Sequence, residues 1–518
     1  MHYGAGLAGR SLRPKTKIWM ADHVAAQTTE GQVHPFLRST PGHWIDGEPV
    51  DSASGTVFDT RNPATGEVIT QIAAGDVADV DRAVAAAREA FTGPWSTWSP
   101  YERQALLWRV HNLVEARFEE IAQLETLDMG SPITRARGLK SHVLQAIAYF
   151  ATQTVNTAGR VLPNNLPGSV TTMTIKAPLG VVGGILAWNN PLVGQWFIVG
   201  GALATGCTAV LKPGETASLS VLYMVRLLQE AGLPDGVVNV VTGFGPTAGA
   251  ALASHSGVDR IVFTGSVQTG RRVVEASTSN MKRVQVELGG KSPDIVFADA
   301  DLDAALPGAA MAVFNNSGQI CTAGTRLFVQ RAIHDEFVER LATFADGLRV
   351  GNGIDPDVQI GPVISSSQLD RILGYVEGGI LQGAELVAGG RRLDGELRNG
   401  YFVAPTVLAN VTPDMTVARE EIFGPVISVI PFDTEEEVLR LANDTEYGLG
   451  GAVWTTNAST AMRMVHGIKA GSVWVNCYGL LDTAVGMACY KMSGYGIKGG
   501  PDYVDAFLYE KCVYFNLG

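Results

Sequence analysis

From about residue 180 onward, the chain alternates short apolar runs with stretches of helical periodicity. The runs "GVVGGILAW", "TAVLKPG", "GVVNVVTG" and "RIVFTGS" predict strands, because each is brief and bounded by glycine, proline or polar residues. The stretch "TASLSVLYMVRLLQEAG" predicts a helix, and "PTAGAALASH" predicts a shorter one. Alternation at this spacing favours a parallel sheet of the dinucleotide-binding type. A second alternating block, from "KSPDIVFADADLDAAL" to "GAVWTT", predicts a second α/β domain.

The preceding part of the chain has helical patterns. The stretch "DVDRAVAAAREAF" (79–91) predicts a helix with an aspartate-rich start, and one long helix is predicted from about Tyr101 to Asp128. The uncharged stretch 177–211 is long enough to cross a bilayer. Its seven glycines and polar break "NNP" instead favour a buried strand, a turn and a buried helix.

Composition narrows the possible classes of protein. With 518 residues, 46% hydrophobic and 17% charged, the chain is expected to form two or three globular domains. A net charge of −12 without a long basic run argues against nucleic-acid binding. Five scattered cysteines argue against a disulfide framework and favour a reducing, cytoplasmic compartment. Neither Cys-x-x-Cys nor His-x-x-x-His occurs, so no zinc site is expected.

Two glycine-rich turns between a predicted strand and a predicted helix are candidates for holding a cofactor. They are "GFGPTAG" (243–249) and "FTGSVQTG" (263–270). A helix N-terminus favours phosphate, although the first motif alone is as consistent with a plain turn. In "LKPGE" (211–215), Glu215 is placed to accept ribose hydroxyls and to repel a 2′-phosphate, which favours NAD over NADP. The alternative for Glu215 is a solvated turn carboxylate.

Three further motifs carry side chains suited to catalysis. In "VELGGKSP" (286–293), burial at a strand end would make Glu287 a better base near neutral pH, and the alternative is a salt-bridged strand end. In "AWNNP" (187–191), one amide is suited to an oxyanion and the other to a helix N-cap. In "NNSGQICTAGTR" (315–326), Cys321 lies among small and polar residues, where packing is the alternative to reactivity.

In order and spacing, these motifs resemble those of the NAD(P)-dependent aldehyde dehydrogenase superfamily. The resemblance also includes "NPATGEVI" (62–69), "EEIFGPV" (420–426), "NDTEYGLGGAVWT" (443–455) and "YKMSGYG" (490–496). The resemblance runs from about His43 to the C-terminus. It implies an α/β fold with a Rossmann-type cofactor domain, a second α/β catalytic domain and a small β oligomerisation arm. The expected bounds are 36–158 and 179–289 for the NAD-binding domain, 290–490 for the catalytic domain, and 159–178 with 491–518 for the arm. Residues 1–35 are expected to be a flexible leader.

The resemblance also implies a chemistry. Cys321 stands at the position of the nucleophile, Asn189 at that of the oxyanion amide, and Glu287 at that of the general base that releases the acid from a thioester. The implied cofactor is NAD, with NADP less favoured. The implied cofactor-binding residues are Trp188, Lys212, Glu215, Gly245, Gly249, Gly265, Ser266, Glu421 and Phe423.

The chain departs from the family's pattern at three places. "GMACYK" (486–491) replaces the common Pro-Phe-Gly-Gly before Tyr-Lys, and "GYGIKGG" (494–500) lacks the usual Arg-Glu after Gly-x-Gly. In the helix after Pro191, Ile198 and Gly201 replace a common lysine and proline. These changes are expected to affect the substrate loop and the subunit contacts and to leave the three chemical residues untouched.

The resemblance places six residues along a substrate tunnel: Asn190, Gly194, Phe197, Ile320, Leu481 and Met487. Between Gly471 and Tyr490 the one charged residue is Asp482, so no arginine is available there to bind a carboxylate. A bulky, uncharged, apolar aldehyde is the expected substrate.

Two alternatives to a hydrolytic enzyme are a CoA-acylating relative and a catalytically silent homologue. The presence of Glu287 argues against the first, and the presence of Cys321, Asn189 and Glu287 argues against the second. No nucleic acid, membrane span or metal is expected. A homo-oligomer, dimer or tetramer, is expected through the arm and the alternating tail "FLYEKCVYFNL".

Overall fold

The computed structural model describes residues 35–38 and 42–518. Residues 1–34 of the expected leader lie outside the described residues. The described chain folds as alternating strands and helices, arranged around two parallel sheets.

The strands are β1 (His43–Ile45), β2 (Glu48–Val50), β3 (Val57–Arg61), β4 (Val68–Ala73), β5 (Val161–Leu162), β6 (Val170–Pro178), β7 (Val181–Ile185), β8 (Thr208–Lys212), β9 (Val238–Val240), β10 (Arg260–Thr264), β11 (Arg283–Glu287), β12 (Pro293–Val296), β13 (Arg326–Gln330), β14 (Glu385–Ala388), β15 (Thr406–Ala409), β16 (Val426–Phe432), β17 (Gly450–Trp454), β18 (Ser472–Val475), β19 (Met487–Ala488), β20 (Gly494–Tyr495), β21 (Ile497–Lys498) and β22 (Leu508–Asn516).

The α-helices are α1 (Val77–Thr92), α2 (Pro100–Ala116), α3 (Phe118–Met129), α4 (Ile133–Gln153), α5 (Pro191–Thr205), α6 (Leu219–Glu230), α7 (Ala250–Ser254), α8 (Val267–Ala276), α9 (Leu302–Phe314), α10 (His334–Asp346), α11 (Ser366–Leu381), α12 (Thr416–Arg419), α13 (Glu435–Asn443), α14 (Ala458–Gly467) and α15 (Gly500–Asp505).

The first sheet has eight strands in the order β2-β1-β9-β8-β7-β10-β11-β20. Strands β9, β8, β7, β10 and β11 pair in parallel, and the pairings of β1 and β20 at the two ends are antiparallel. Strands β7 and β8 are buried throughout, because helices cover both faces of a parallel sheet. Apolar clusters on the two faces hold these helices in place.

The second sheet has seven strands in the order β14-β15-β16-β13-β12-β17-β18. All its pairings are parallel except that of the edge strand β14. Two apolar clusters cover its faces. Strand β11 ends the parallel part of the first sheet, and β12 begins the second only six residues later. The connection between the sheets is therefore short.

Two expectations from the sequence have different outcomes here. The uncharged stretch 177–211 forms β7, a turn and α5, as predicted, and among the described residues no helix is both long and apolar enough to cross a membrane. The prediction of a single helix from Tyr101 to Asp128 is wrong. This stretch forms two helices, α2 and α3, because the backbone leaves helical geometry at Arg117, with φ −104° and ψ 13°.

A third, three-stranded sheet lies at the position expected for the arm. Strand β22 pairs with β6 over nine residues, from Leu508 opposite Pro178 to Asn516 opposite Val170, and β5 pairs with the other edge of β6. The side chains of β22 are mostly exposed, and Tyr514 and Phe515 are 69% and 55% exposed. This sheet thus presents an apolar edge strand to solvent.

The short antiparallel strand β20 fixes the C-terminal segment against β11. Its register places Gly494 opposite Glu287. Gly494 has a φ of +112°, and a methyl group there would overlap the carbonyl oxygen of Val286. Only glycine fits this close approach of two backbones.

We expect Gly494→Ala to destabilise the protein by about 1–3 kcal/mol, since alanine is strained at this φ and collides with β11. The thermal unfolding midpoint should be lower than that of the unchanged protein. The matched control is Gly374→Ala on α11, where a methyl group meets no atom within 4 Å and should raise stability by about 0.5–1 kcal/mol. Equal midpoints for Gly494→Ala and the unchanged protein would show that the pairing is not tight.

Candidate active site

Cys321 follows a strained turn at the end of α9. Three consecutive residues, Asn316, Ser317 and Gly318, have left-handed backbone angles, with φ of 53°, 55° and 73°. Such angles are unfavourable for serine and tolerable for asparagine. Strain of this kind persists only where surrounding contacts impose it, and it is common next to reactive groups.

Buried amide side chains impose this turn. The Asn316 Nδ2 donates to the carbonyl oxygens of Asn189 at 3.1 Å and of Gln319 at 3.2 Å. The Gln319 side chain donates in return to the Asn316 carbonyl and accepts from the Ile364 N–H at 2.8 Å. Asn189 joins the network, because its Nδ2 donates to the Gln319 carbonyl at 2.9 Å. The structure therefore places the Asn189 amide next to the turn that carries Cys321.

Glu287 lies on the other side of Cys321. The Cys321 Sγ is 3.5 Å from Glu287 Oε1, and the other carboxylate oxygen, Oε2, is 2.6 Å from the Nζ of Lys498. The side chains of Glu287 and Lys498 are 5% and 14% exposed. The sequence allowed two interpretations of Glu287, a base or a salt-bridged residue at a strand end. In the structure Glu287 is a buried carboxylate beside the thiol, and it also forms an ion pair.

The environment of Cys321 opposes its ionisation. Burial and the Glu287 carboxylate raise the pKa of the Cys321 thiol well above its usual value, while the Lys498 ammonium acts in the opposite direction. Burial and Glu287 likewise raise the pKa of the nearby Cys489 to about 12. Both thiols are therefore protonated at neutral pH.

Lys498 corrects an expectation from the sequence. The departures from the family's pattern were expected to leave the three chemical residues untouched, and this is wrong for "GYGIKGG". Lys498, which stands where the Arg-Glu pair is usually found, is in direct contact with Glu287. The residues are 211 positions apart, so only the pairing of β20 with β11 shows that they meet.

Two glycines let three parts of the chain converge between the sheets. A methyl group on Gly289 would overlap the Glu421 carboxylate, and one on Gly290 would overlap the Cys321 carbonyl oxygen. The Gly290 N–H donates to Glu421 Oε1 at 3.0 Å. Burial raises the pKa of Glu421 to about 7. Glu421 is thus held beside the Cys321 loop by the crossing from β11 to β12.

Trp188 and Phe423 form an aromatic contact next to Glu421. Their rings lie edge to face with centroids 5.3 Å apart. Phe423 has a φ of +61°, and its carbonyl accepts a hydrogen bond from Gln368 Nε2 at 2.8 Å. Trp188 packs on a small buried cluster of Met129, Ala217 and Ile364.

The other predicted cofactor residues lie at the carboxyl ends of the parallel strands. Lys212 ends β8, and its Nζ is 3.0 Å from Glu215 Oε2. A methyl group on Gly245 would meet no atom within 4 Å, so open space lies over this turn. The segment Gly245–Gly249 is one π-helical turn leading into α7, where a single short helix was predicted.

Helix α8 begins beside the same strand ends. The Ser266 hydroxyl caps it by accepting from the Thr269 N–H, and the Gly265 N–H donates to the Glu287 carbonyl at 3.1 Å. A helix N-terminus, a lysine, a carboxylate and the open space over Gly245 are features that fit the phosphates and ribose of a dinucleotide. The residues present are therefore suited to NAD.

The residues predicted to line the substrate tunnel have different surroundings. The Lys498 Nζ lies 5.1 Å from the centre of the Phe197 ring, and Met487 pairs with Lys498 in the β19–β21 ladder. A methyl group on Gly194 would approach nothing closer than Leu186 Cδ2 at 3.8 Å. Leu481 is 52% exposed, and Ile320 directly precedes Cys321.

Asn190 occupies the N-cap position of α5, but its side chain makes no capping bond, and its Oδ1 is buried without a hydrogen-bond partner in the described chain. The expectation that one of the two asparagines caps the helix through its side chain is not met. Within residues 35–38 and 42–518, no group of three or more His, Cys, Asp or Glu side chains is arranged to hold a metal ion.

The sequence reasoning missed three residues that support the site. Asn316 and Gln319 organise the turn before Cys321, and Tyr478 Oη donates to the Thr322 carbonyl at 2.6 Å. Both amides lie within the quoted motif "NNSGQICTAGTR", and a pair of amides flanking a Ser-Gly turn was the available signal. Nothing local in the sequence points to Tyr478.

Comparisons with known proteins agree with this arrangement. Residues 50–513 match the aldehyde dehydrogenase family. The mitochondrial aldehyde dehydrogenase of Homo sapiens is 44% identical over 474 residues, which cover 91% of each chain. The mitochondrial benzaldehyde dehydrogenase of Antirrhinum majus is 44% identical over 472 residues, covering 90% of this chain and 88% of that protein.

A solved structure has the same fold. The NAD⁺ complex of the aldehyde dehydrogenase from Bacillus cereus superimposes with a TM-score of 0.91 at 42% identity, covering 93% of this chain and 98% of that one. The chain belongs to the aldehyde dehydrogenase family, and the α/β fold predicted from its sequence is confirmed.

We expect Asn316→Ala to lower kcat for an aldehyde about tenfold or more, because it removes both hydrogen bonds that hold Asn189 and Gln319 beside Cys321. The matched control is Asn410→Ala, since Asn410 has the same φ of 53° and lies exposed on the surface. Both variants should lose stability through backbone strain, and only Asn316→Ala should lose turnover. Unchanged kcat for Asn316→Ala would contradict the supporting role of this amide.

Proposed function

We propose that this chain oxidises an uncharged, apolar aldehyde to the carboxylic acid with NAD, through a thioester on Cys321. One observation carries the proposal. The Cys321 Sγ lies 3.5 Å from a buried carboxylate, Glu287, and at the end of a turn held by the Asn189 amide. A nucleophile, a base and an oxyanion donor are thus within one cluster.

Formation of the nucleophile comes first. Glu287 Oε1 accepts the proton of the Cys321 thiol, which burial otherwise keeps protonated. The thiolate then forms a C–S bond with the aldehyde carbon, and the carbonyl π electrons move to oxygen. An amide nitrogen has two hydrogens, and one of those on Asn189 donates to Gln319. The second, with the Cys321 N–H, stabilises the oxyanion.

NAD, when bound, would supply the oxidant for the hydride that leaves the substrate carbon, so that the aldehyde, NAD⁺ and water become the carboxylate, NADH and two protons. The residues suited to hold it are Lys212, Glu215, the turn at Gly245, the start of α8, Glu421, and the Trp188–Phe423 pair. Because Glu215 presents a carboxylate at the end of β8, we infer a preference for NAD over NADP.

Release of the acid also uses this chain's own groups. Glu287, after releasing the thiol proton to solvent, takes a proton from water; the resulting hydroxide adds to the thioester carbon, and the C–S bond breaks to leave the carboxylic acid and the Cys321 thiolate. An acid–base residue at this position favours hydrolysis over transfer of the acyl group to CoA. A CoA-acylating enzyme remains the second candidate, and its thioester would not need Glu287.

We infer the substrate class from the residues predicted to line the substrate tunnel. Gly194 leaves room for a bulky group, and Met487, Leu481 and Phe197 offer apolar surface. The relative from Antirrhinum majus is named a benzaldehyde dehydrogenase, which supports an aromatic aldehyde.

We further propose a homo-oligomer, because the exposed apolar strand β22 is available to pair across subunits. All five cysteines are free, which supports a reducing compartment such as the cytoplasm.

The function is tested by following NADH or NADPH formation over a panel of charged, short aliphatic, aromatic and terpenoid aldehydes, with and without CoA. We expect turnover that is fastest with apolar aldehydes and NAD, and unchanged by CoA. Turnover that requires CoA would favour the acylating alternative. Turnover confined to a carboxylate-bearing or a quaternary ammonium aldehyde would contradict the substrate class.

The role of Glu287 is tested by Glu287→Gln, which preserves size and removes the base. We expect steady-state turnover about 10²–10⁴-fold slower and no burst of NADH, since neither the Cys321 thiolate nor the attacking hydroxide is then generated by a base. The matched control, Glu275→Gln on the exposed end of α8, should behave as the unchanged enzyme. Wild-type steady-state turnover in Glu287→Gln would exclude this residue as the base.

A further inference from the structure

Lys498 places a positive charge inside the cluster that contains Cys321. Its Nζ lies 2.6 Å from Glu287 Oε2 and 5.1 Å from the centre of the Phe197 ring. Both members of the ion pair are largely removed from solvent. An ion pair shielded in this way interacts much more strongly than one on the surface.

The backbone holds Lys498 on two sides, so its position is built into the fold. The preceding residue, Ile497, accepts a hydrogen bond through its carbonyl from Gln285 Nε2 at 2.8 Å, two residues before Glu287 on β11. On the other side, Lys498 pairs with Met487 between β19 and β21. The strand that carries the carboxylate therefore also positions its counter-ion.

The charges facing Cys321 come from several elements. Glu287 from β11 and Glu421 from the loop before β16 disfavour a thiolate, and Lys498 from β21 favours one. The neutral titratable groups nearby are Tyr478, which faces Cys321, and Cys489, which faces Glu287 and Lys498. Tyr503 also faces Glu287. The carboxylates of Glu287 and Glu421 and the ammonium of Lys498 act on Cys321, so removal of Lys498 leaves the thiol near negative charges only.

The sequence singles out the same position. Lys498 stands where this chain lacks the usual Arg-Glu pair, and Ile198 stands where the family commonly has a lysine. Ile198 follows Phe197, whose ring lies beside the Lys498 ammonium. The chain thus has no cation on α5 and has one on β21, beside the Phe197 ring.

We propose that Lys498 is a positioning residue that holds the Glu287 carboxylate against the Cys321 thiol and stabilises the thiolate once it forms. This inference rests on the proposed roles of Cys321 and Glu287. The proton moves from Sγ to Glu287 Oε1, so the cluster keeps its total charge. Before transfer the ammonium faces a carboxylate, and after transfer it faces a thiolate and a neutral carboxyl group. Burial opposes the charge on Lys498, and Glu287 nevertheless raises the pKa of its ammonium, which keeps it protonated throughout.

The test measures the thiol itself. The rate of alkylation of Cys321 by iodoacetamide, a neutral probe, is followed by peptide mass spectrometry between pH 6 and pH 10. A nearby opposite charge shifts a pKa by about 1–3 units, so Lys498→Met should slow alkylation at pH 8 about tenfold or more and move the pH dependence upward. Lys498→Arg restores a cation and should stay within about threefold of the unchanged enzyme.

Two further variants separate charge from structure. Lys498→Gln keeps a hydrogen-bond donor for Glu287 without charge, and we expect it to be slow like Lys498→Met. The matched control is Lys282→Met at the far end of β11, where a buried lysine donates to the Ala253 carbonyl at 2.9 Å. Its pH dependence of alkylation should be unchanged. Normal alkylation in Lys498→Gln, or slow alkylation in both Lys498→Arg and Lys282→Met, would overturn the proposal.

Failure of this inference is distinguishable from failure of the proposed function. Turnover that persists in Cys321→Ala would remove the thioester mechanism, whatever Lys498 does to the thiol. Loss of turnover in Cys321→Ala with normal alkylation in Lys498→Met would keep the mechanism and remove the role of Lys498.

Discussion

The short crossing between the two parallel sheets is the constraint on which the site depends. Strand β11 ends at Glu287 and β12 begins at Pro293, so the chain passes from one sheet to the other within five residues. Side chains in that crossing would keep neighbouring loops away. Gly289 and Gly290 have none, and the Glu421 carboxylate approaches Gly289 while the Cys321 carbonyl approaches Gly290. Cys321, Glu287 and Glu421 can therefore come together because two glycines lie in the connection between the sheets.

The turn before Cys321 shows how this convergence is stabilised. Left-handed angles at Asn316 and Ser317 store strain, and the surrounding amides offset it with hydrogen bonds that are buried from water. The same bonds orient Asn189. Stability and chemistry therefore share one set of side chains, and a substitution in this network is expected to affect both.

The fold was predictable because its signals are local. Apolar runs of strand length alternate with helical periodicities, and this pattern needs no knowledge of which strands are neighbours. The break at Arg117 was missed because no proline or glycine marks it. The site was predictable to the extent that its residues lie in the motifs of the family resemblance, and their chemical roles stay predictions.

Lys498 shows what the sequence could not supply. Lys498 and Glu287 are far apart in the sequence, and the strand register that brings them together depends on Gly494 fitting against β11. A departure from a family pattern was visible, but its place in space was not. The missing capping bond of Asn190 has a similar explanation. The sequence predicts that Asn190 occupies the N-cap position of α5, but neighbouring residues set the direction of its side chain.

The pairing of β20 with β11 also bears on the order in which the protein is made. Lys498 leaves the ribosome 211 residues after Glu287, which corresponds to roughly 10–40 s of synthesis. During that interval β11 is an open edge of the nascent sheet, and its terminal carboxylate has no counter-ion, which disfavours its burial. The first sheet can form early, whereas the cluster around Cys321 must close near the end of translation. The Cys321 thiol is then enclosed only in chains that have been synthesised almost to completion.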